Sequence, residues 1–199
     1  MPGLDELSYY IRGLWLLIIG RPEGSSWLDF SQRGFWRSWW AIVFCLPPTL
    51  LSWLAFRATY LAALPVGAGV DSLFFAKLAI IELANWTVPI ALVATIAVGT
   101  GLSRYVVPAV VATNWLSVPL QWLYSIQSAI QLLIPGSDGA AGLLYLLFLT
   151  LSVGLHFRIV RAVTGGDGLV ASAIFICLFV GSFLTQYQLM TTFDLWITS

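Results

Sequence analysis

Charged side chains are scarce in this sequence, which excludes an ordinary soluble domain. Asp, Glu, Lys and Arg together make up 9% of the 199 residues, whereas soluble domains carry about 25%. Hydrophobic residues make up 59% of the chain. The formal net charge is zero, so the broad basic surface of a nucleic-acid-binding protein is also missing. The composition therefore predicts an integral membrane protein that binds no nucleic acid.

Histidine and cysteine are too rare for a metal centre or a disulfide framework. The chain has two cysteines, Cys45 and Cys177, both in apolar runs, and one histidine, His156; none has the spacing of a zinc site. No nucleophile elbow, phosphate-binding loop or carboxylate pair is present either. His156 stands beside Arg158 and Arg161, which is more typical of an interfacial residue than of a catalytic one. We predict a non-enzymatic protein with no metal and no cofactor.

The first 34 residues predict an amphipathic segment and not a membrane span. Apolar residues recur at helical spacing from Leu4 to Ile18, but spanning a bilayer takes about 20 residues. We predict that this segment is cytoplasmic and lies in the membrane interface; packing on the membrane domain is the alternative. Aromatic and basic residues follow where the first span begins, and we predict that they anchor the chain at the headgroups. These anchors are Trp36, Trp39, Trp40, Arg33 and Arg37.

The remaining chain, residues 35–199, predicts an all-α bundle of five transmembrane helices. The apolar runs are each near the length that a hydrocarbon core of about 30 Å requires. They cover approximately residues 35–55, 73–98, 105–124, 141–160 and 169–190. Residues 125–134 continue the third run with Gln127 and Gln131 one turn apart. They predict an amphipathic extension outside the hydrocarbon region or, alternatively, a longer tilted helix.

The distribution of basic residues predicts the orientation. With five spans, one side holds Arg12, Arg21, Arg33, Arg37, Arg104, Arg158 and Arg161, and the other holds Arg57 and Lys77. The positive-inside rule then puts the N-terminus in the cytoplasm and the C-terminus outside. Arginine far outnumbers lysine, which is typical of a GC-rich bacterial genome. We predict a multi-pass protein of the bacterial inner membrane.

An unusual sequence motif occurs twice in the middle of the chain. Asn85-Trp86-Thr87-Val88-Pro89 and the stretch from Asn114 to Pro119 each lie inside an apolar run. Proline removes a backbone hydrogen bond, so breaks or kinks are predicted at Pro47, Pro48, Pro89 and Pro119. If spans two and three form an antiparallel hairpin, the Asn114 amide can donate toward the backbone opened by Pro89. Alternatively, the carbonyls and amides line a polar cavity for a solute or an ion.

Two charged residues lie in the second span, and such groups are functional candidates by default. Reflecting the hairpin about Gly101 places Glu82 level with Gln121, which predicts a contact between them. The candidate intramembrane polar site is Lys77, Glu82, Asn85, Asn114 and Gln121. The structural alternative is that Lys77 reaches the outer surface and that polar neighbours hold Glu82.

These features resemble the bacterial branch of the Yip1-domain membrane proteins, in which a short cytoplasmic region precedes five spans with prolines in the middle helices. The likeness is carried by Asn85–Pro89 and Asn114–Pro119. The acidic-aromatic signature of the eukaryotic members is missing, so no trafficking role is implied. The resemblance implies a small non-enzymatic membrane protein that acts through partners.

Two functions follow as predictions. The first is a scaffold or accessory subunit in the lipid bilayer, bound to other membrane proteins or to copies of itself. The alternative is a small transporter or channel component that uses Glu82 and the proline-broken second and third helices. A water-accessible cavity that reaches Glu82 and both asparagines would favour transport. A dry bundle with an exposed apolar groove would favour a partner.

Overall fold

The computed structural model describes residues 2–65, 67 and 69–196, and within them it contains seven α-helices and no strand. The all-α prediction is therefore confirmed. The helices are α1 (Leu4–Ile18), α2 (Gln32–Ser38), α3 (Ala41–Ala63), α4 (Phe74–Thr100), α5 (Val106–Leu133), α6 (Asp138–Val163) and α7 (Gly168–Thr192). Short 3-10 helices cover Pro22–Trp27 and Ser103–Tyr105.

Five helical segments are long and apolar enough to cross a bilayer, as predicted, which indicates a multi-pass membrane protein. They are Gln32–Ala63, Phe74–Thr100, Ser103–Leu133, Asp138–Val163 and Gly168–Thr192. Two boundaries differ from the prediction. The first long helix, α3, continues to Ala63 and does not end near residue 55. Residues 125–133 belong to the same unbroken helix as the third span, as the alternative of a longer helix expected.

The helix breaks predicted at the prolines are wrong. Pro47 and Pro48 lie inside α3, Pro89 inside α4 and Pro119 inside α5, and all three helices run on without interruption. A proline removes one backbone hydrogen bond, while the bonds before and after it stay in place. Outside water the helical state is also the one that satisfies the most backbone groups. The prolines are therefore sites of local helix distortion at most, not breaks.

Helix α5 lies at the centre of the bundle and is its most buried long helix. It packs mainly against α3 and α6, and also contacts α1 and α2, whereas α4 packs mainly against α7. The contact between α4 and α5 is slight, although a short turn around Gly101 joins them. The tight α4–α5 hairpin that the sequence suggested is therefore replaced by two antiparallel helices with space between them.

Helix α1 packs on the bundle through one face. The Tyr10 ring stacks on Trp115 of α5 with ring centroids 4.5 Å apart, and Leu14 and Leu17 are buried in the same core. This was the alternative to an interfacial helix. The opposite face stays exposed, with Trp15 61% accessible. Its depth in a membrane stays a prediction.

The predicted anchors divide into two groups. Trp36, Trp40 and Arg33 are exposed, as anchors at a membrane surface require, whereas Trp39 is half-buried. The guanidinium of Arg37 forms an ion pair with Glu6 of α1, and its role as a headgroup anchor stays a prediction. The pair ties α1 to α2, because the carboxylate lies within hydrogen-bond reach of the arginine.

Candidate functional site

Polar side chains form a stripe along one face of α5. They recur at alternating spacings of three and four residues, which places them on one side of a helix. The stripe consists of Asn114, Ser117, Gln121, Tyr124, Ser128 and Gln131. At a rise of about 1.5 Å per residue it is about 25 Å long, close to the thickness of a hydrocarbon core, about 30 Å. The stripe therefore provides polar groups through most of a membrane.

Side chains before and within α3 bind this stripe at four levels. The donor-to-acceptor distance is 3.0 Å in Asn114 Nδ2 to Ser38 Oγ, Gln121 Nε2 to Thr49 Oγ1 and Gln131 Nε2 to Thr59 Oγ1, and the Ser52 and Ser128 hydroxyls are 3.0 Å apart. The partners are 72 or 76 residues apart in the chain. A nearly constant separation means that the two helices run parallel. Each bond satisfies a polar group that would be costly in an apolar interior.

Two cavities lie along the stripe. A smaller one of about 260 Å³ lies among α4, α5, α6 and α7 and extends from Gln121 toward Thr113 and Val160. A larger one of about 530 Å³ is also lined by α3 and extends from Gln121 toward Gln131 and Met190. The two are stacked along the bundle. Three side chains line both, namely Glu82, Asn85 and Gln121.

Glu82 is the one carboxylate among the described residues that line the two cavities, and no lysine or arginine lines them. Its Oε1 accepts a hydrogen bond from Trp86 Nε1, one turn further along α4, at 3.1 Å. Glu82 and Gln121 lie at similar levels along the bundle, as predicted, since both line the same cavities. The predicted contact is wrong, because the Gln121 amide donates to Thr49 instead.

Both asparagines of the repeated motif line the small cavity, but neither donates to the backbone near the prolines. Asn114, which is buried, donates to Ser38 and not toward the backbone at Pro89. Asn85 Nδ2 lies 3.5 Å from Gln186 Oε1 of α7, at the long limit of a hydrogen bond. The Asn85 Oδ1 is buried and has no protein partner. A buried oxygen without a donor is costly, so it marks a place for water or a solute.

His156 also lines the small cavity, so the prediction of an interfacial residue is wrong. Its Nδ1 lies 2.9 Å from the Ser152 carbonyl oxygen. A carbonyl can only accept, so Nδ1 carries a proton, and in the neutral ring Nε2 is left as an acceptor. No local pattern in the sequence marks this position, because only the packing of α6 against α5 and α7 turns it inward.

Lys77 does not belong to the site, which corrects the predicted set. Its Nζ lies 2.8 Å from Asp71 Oδ2 in the connection before α4, and it lines neither cavity. The backbone N–H of Leu73 and then the Lys77 ammonium lower the pKa of Asp71 below its usual range. The lysine therefore reaches toward the end of the bundle, as the structural alternative expected.

Sequence reasoning missed most of the other polar lining residues. Ser117, Ser128 and Thr49 are missing from the predicted site, yet the α5 stripe could have been found from its spacing of three and four residues. Thr49 and Ser152 carry no comparable signal, because they meet the neighbouring helices only through packing. Within the described residues, no group of three or more His, Cys, Asp or Glu side chains could hold a metal ion.

Comparison with protein families, with curated proteins and with solved structures finds no match for this chain. The geometry and chemistry of the two cavities therefore carry the functional assignment.

Proposed function

We propose that this protein is a small transporter or channel component that admits a polar solute into its bundle. The observation that supports the proposal is that two polar-lined cavities meet at Glu82, Asn85 and Gln121, in the middle of helices long enough to span a membrane. Ligand sites of membrane bundles are built in this way, from polar groups on facing helices around a midplane cavity.

The energetics favour a functional role for these polar groups over a purely structural one. Packing between membrane helices needs small residues and a few hydrogen bonds, whereas an ionisable group in the membrane is expensive. A scaffold gains nothing from a carboxylate beside a cavity of about 530 Å³. A solute site needs both features, since the space admits the solute and the polar groups replace its water.

The proposal extends to orientation and location. The end of the bundle that carries Arg104, Arg158 and Arg161 is also the end on which α1 packs, through residues near Val107 and Ile159. The positive-inside rule supports placing this end in the cytoplasm. The small cavity then faces the cytoplasm, the large cavity faces outside, and the membrane is the bacterial inner membrane.

The scaffold or accessory subunit predicted first is the competing proposal. It is supported by exposed aromatic side chains at the α1 end, among them Trp15 and Trp36, which could meet a partner as well as lipid. The resemblance to Yip1-domain proteins and the absence of enzymatic activity stay predictions. Five spans are few for a transporter, so the transport proposal includes assembly with copies of itself or with other membrane proteins.

Solute flux into proteoliposomes tests the transport proposal. Full-length protein in vesicles is exposed to methylammonium chloride, potassium chloride, urea and glycerol, and vesicle volume is followed by light scattering. We expect at least one solute to enter faster than into protein-free vesicles, and Glu82→Gln to change that rate by about tenfold.

Glu23→Gln is the matched control, because Glu23 is exposed in the first 3-10 helix and lines neither cavity. This variant should behave as wild type. If none of the four solutes enters faster than into empty vesicles, the transport proposal falls and the scaffold proposal replaces it.

A further inference from the structure

We infer that the cavities select a small organic ammonium cation, with Glu82 as its counter-charge. This inference rests on the proposed function, because it names the class of solute that the cavities would admit. Three observations carry it: the hydrogen bonds of the amide side chains, the charge of the lining and the aromatic residues that line the small cavity.

The hydrogen bonds of α5 use the amide nitrogens of Asn114 and Gln127 and leave the oxygens of these two amides. The Ser38 hydroxyl donates its one hydrogen to the Phe35 carbonyl at 2.7 Å. Its oxygen can therefore only accept from Asn114, and the atom of Asn114 that lies 3.0 Å away must be the NH₂ group. The Asn114 Oδ1 is then the atom left for a solute.

The same reasoning applies at the other end of the stripe. The Thr59 hydroxyl donates to the Ala55 carbonyl at 3.2 Å, so it must accept from the Gln131 amide at 3.0 Å. The Gln131 oxygen in turn accepts from Gln127 Nε2 at 3.2 Å. In this series of hydrogen bonds, each amide donates toward α3 or along α5. The acceptor left at the end of the series is the oxygen of Gln127.

Acceptors also dominate where the two cavities meet. Asn85 Oδ1 is buried without a partner, and the Glu82 carboxylate can only accept when ionised. Further along the small cavity, neutral His156 offers Nε2 as an acceptor because its Nδ1 proton is held by the Ser152 carbonyl. These acceptors favour a solute that brings donors of its own.

The charge of the lining narrows the class of solute further. An anion would face the Glu82 carboxylate with no lysine or arginine in either lining to offset the repulsion. A neutral solute could satisfy the acceptors but would leave the carboxylate without a counter-charge. An ammonium group provides up to three N–H donors and one positive charge, so it satisfies both requirements.

Aromatic walls distinguish an organic ammonium from an alkali-metal ion. Trp86, which donates to the Glu82 carboxylate, lines the small cavity, and Phe175 and Phe179 of α7 line the same cavity further from Glu82. Aromatic faces attract ammonium groups and also accommodate their alkyl substituents. A metal ion the size of potassium would need oxygen ligands on most sides, as in a ring of carbonyls, whereas aromatic rings form part of the wall of this cavity.

The ammonium group could come from a free amine or from the headgroup of an aminolipid, and the test separates these two sources. Full-length protein is purified in dodecyl maltoside, and binding of radiolabelled methylammonium is measured by equilibrium dialysis. Competitors are ethylamine, lysophosphatidylethanolamine, potassium, urea and acetate.

We expect ethylamine to compete, and potassium, urea and acetate to compete at least about tenfold more weakly. Glu82→Gln should weaken binding at least about tenfold, since it keeps the side-chain shape and removes the charge. Glu23→Gln should bind as wild type does. Competition by lysophosphatidylethanolamine but not by ethylamine would support the ammonium class with a lipid as its source.

Two results would overturn the inference: equal competition by potassium or urea, or unchanged binding in Glu82→Gln. Failure of the transport proposal is a separate result. Methylammonium binding without solute flux would support the ammonium site and contradict the transport proposal. Flux of urea or glycerol without methylammonium binding would support transport and contradict the ammonium class of solute.

Discussion

Removing the Ser38 hydroxyl tests whether specific partners hold the polar stripe of α5. Ser38 is fully buried and Asn114 is 3% exposed, and the amide donates to the hydroxyl oxygen at 3.0 Å. In Ser38→Ala the amide loses its acceptor, and the Phe35 carbonyl loses the hydroxyl that donates to it. Two buried polar groups are then each left with one partner fewer.

Two limits bracket the cost of this change. Leaving a buried donor unsatisfied costs about 1–3 kcal/mol in soluble proteins, whereas side-chain hydrogen bonds between membrane helices average about 0.6 and reach about 1.7 kcal/mol. Asn114 also lines the small cavity, so its amide can turn toward water there and recover part of the loss. We expect Ser38→Ala to lower the free energy of unfolding by about 1–2 kcal/mol.

A double-mutant cycle measures the pair itself. Wild type, Ser38→Ala, Asn114→Leu and the double variant are unfolded with SDS in dodecyl maltoside, and helix content is followed by circular dichroism. We expect a coupling energy of about 0.5–1.5 kcal/mol between the two sites. Ser8→Ala is the control, because Ser8 is exposed and its hydroxyl bonds to the Asp5 carbonyl in its own turn.

The control should change stability by less than about 0.5 kcal/mol. A coupling below about 0.3 kcal/mol would refute the reasoning. It would show that Ser38 does not hold the Asn114 amide, and it would remove one of the observations that turn an oxygen toward the cavity.

Further predictions concern the docking of α1. Gly13→Ala should destabilise this docking by up to about 2 kcal/mol, since overpacking costs about 1–3 kcal/mol and better helix propensity returns about 1. The new Cβ would lie 2.5 Å from the Trp27 Cβ. Limited proteolysis before residue 32 measures this, and Gly154→Ala, whose Cβ would have no neighbour within 4 Å, should not increase cleavage. Burial raises the pKa of Glu6, but hydrogen bonds from Tyr10 and Arg37 outweigh burial and lower it below 4.5. The contribution of the Glu6 carboxylate to docking is therefore complete at neutral pH and is lost as the pH falls through its folded-state pKa. Hydrogen exchange of α1 should rise in this pH range. Glu6→Gln should abolish the rise.

The number and type of the helices could be predicted from the sequence, because long apolar runs with few charges leave no other structure in a bilayer. The helix ends were harder to predict. The first span was expected to end near residue 55, but polar residues such as Arg57 and Thr59 continue α3, since Thr59 binds Gln131 of its neighbour. The breaks expected at the prolines were wrong because one missing hydrogen bond does not stop a helix whose flanking turns are intact.

Part of the candidate site could also be predicted. Glu82, Asn85, Asn114 and Gln121 do line one common cavity, and the reflection of α4 onto α5 placed them near one another, since rise per residue is a local property. Their partners could not be predicted. Asn114 binds Ser38, which precedes α3, and no rule that uses only α4 and α5 includes a third helix.

The sequence by itself determined that this is an all-α membrane protein, and it determined which residues share a face of α5, because both follow from composition and helix geometry. The tertiary structure alone decided that Lys77 lies outside the site, that His156 lies in it, and that the Asn85 oxygen is buried without a protein partner. The physical reason is that α4 and α7 are apolar on nearly all sides. Their sequences therefore do not say which face meets which neighbour, and only the packing of all five long helices orients them.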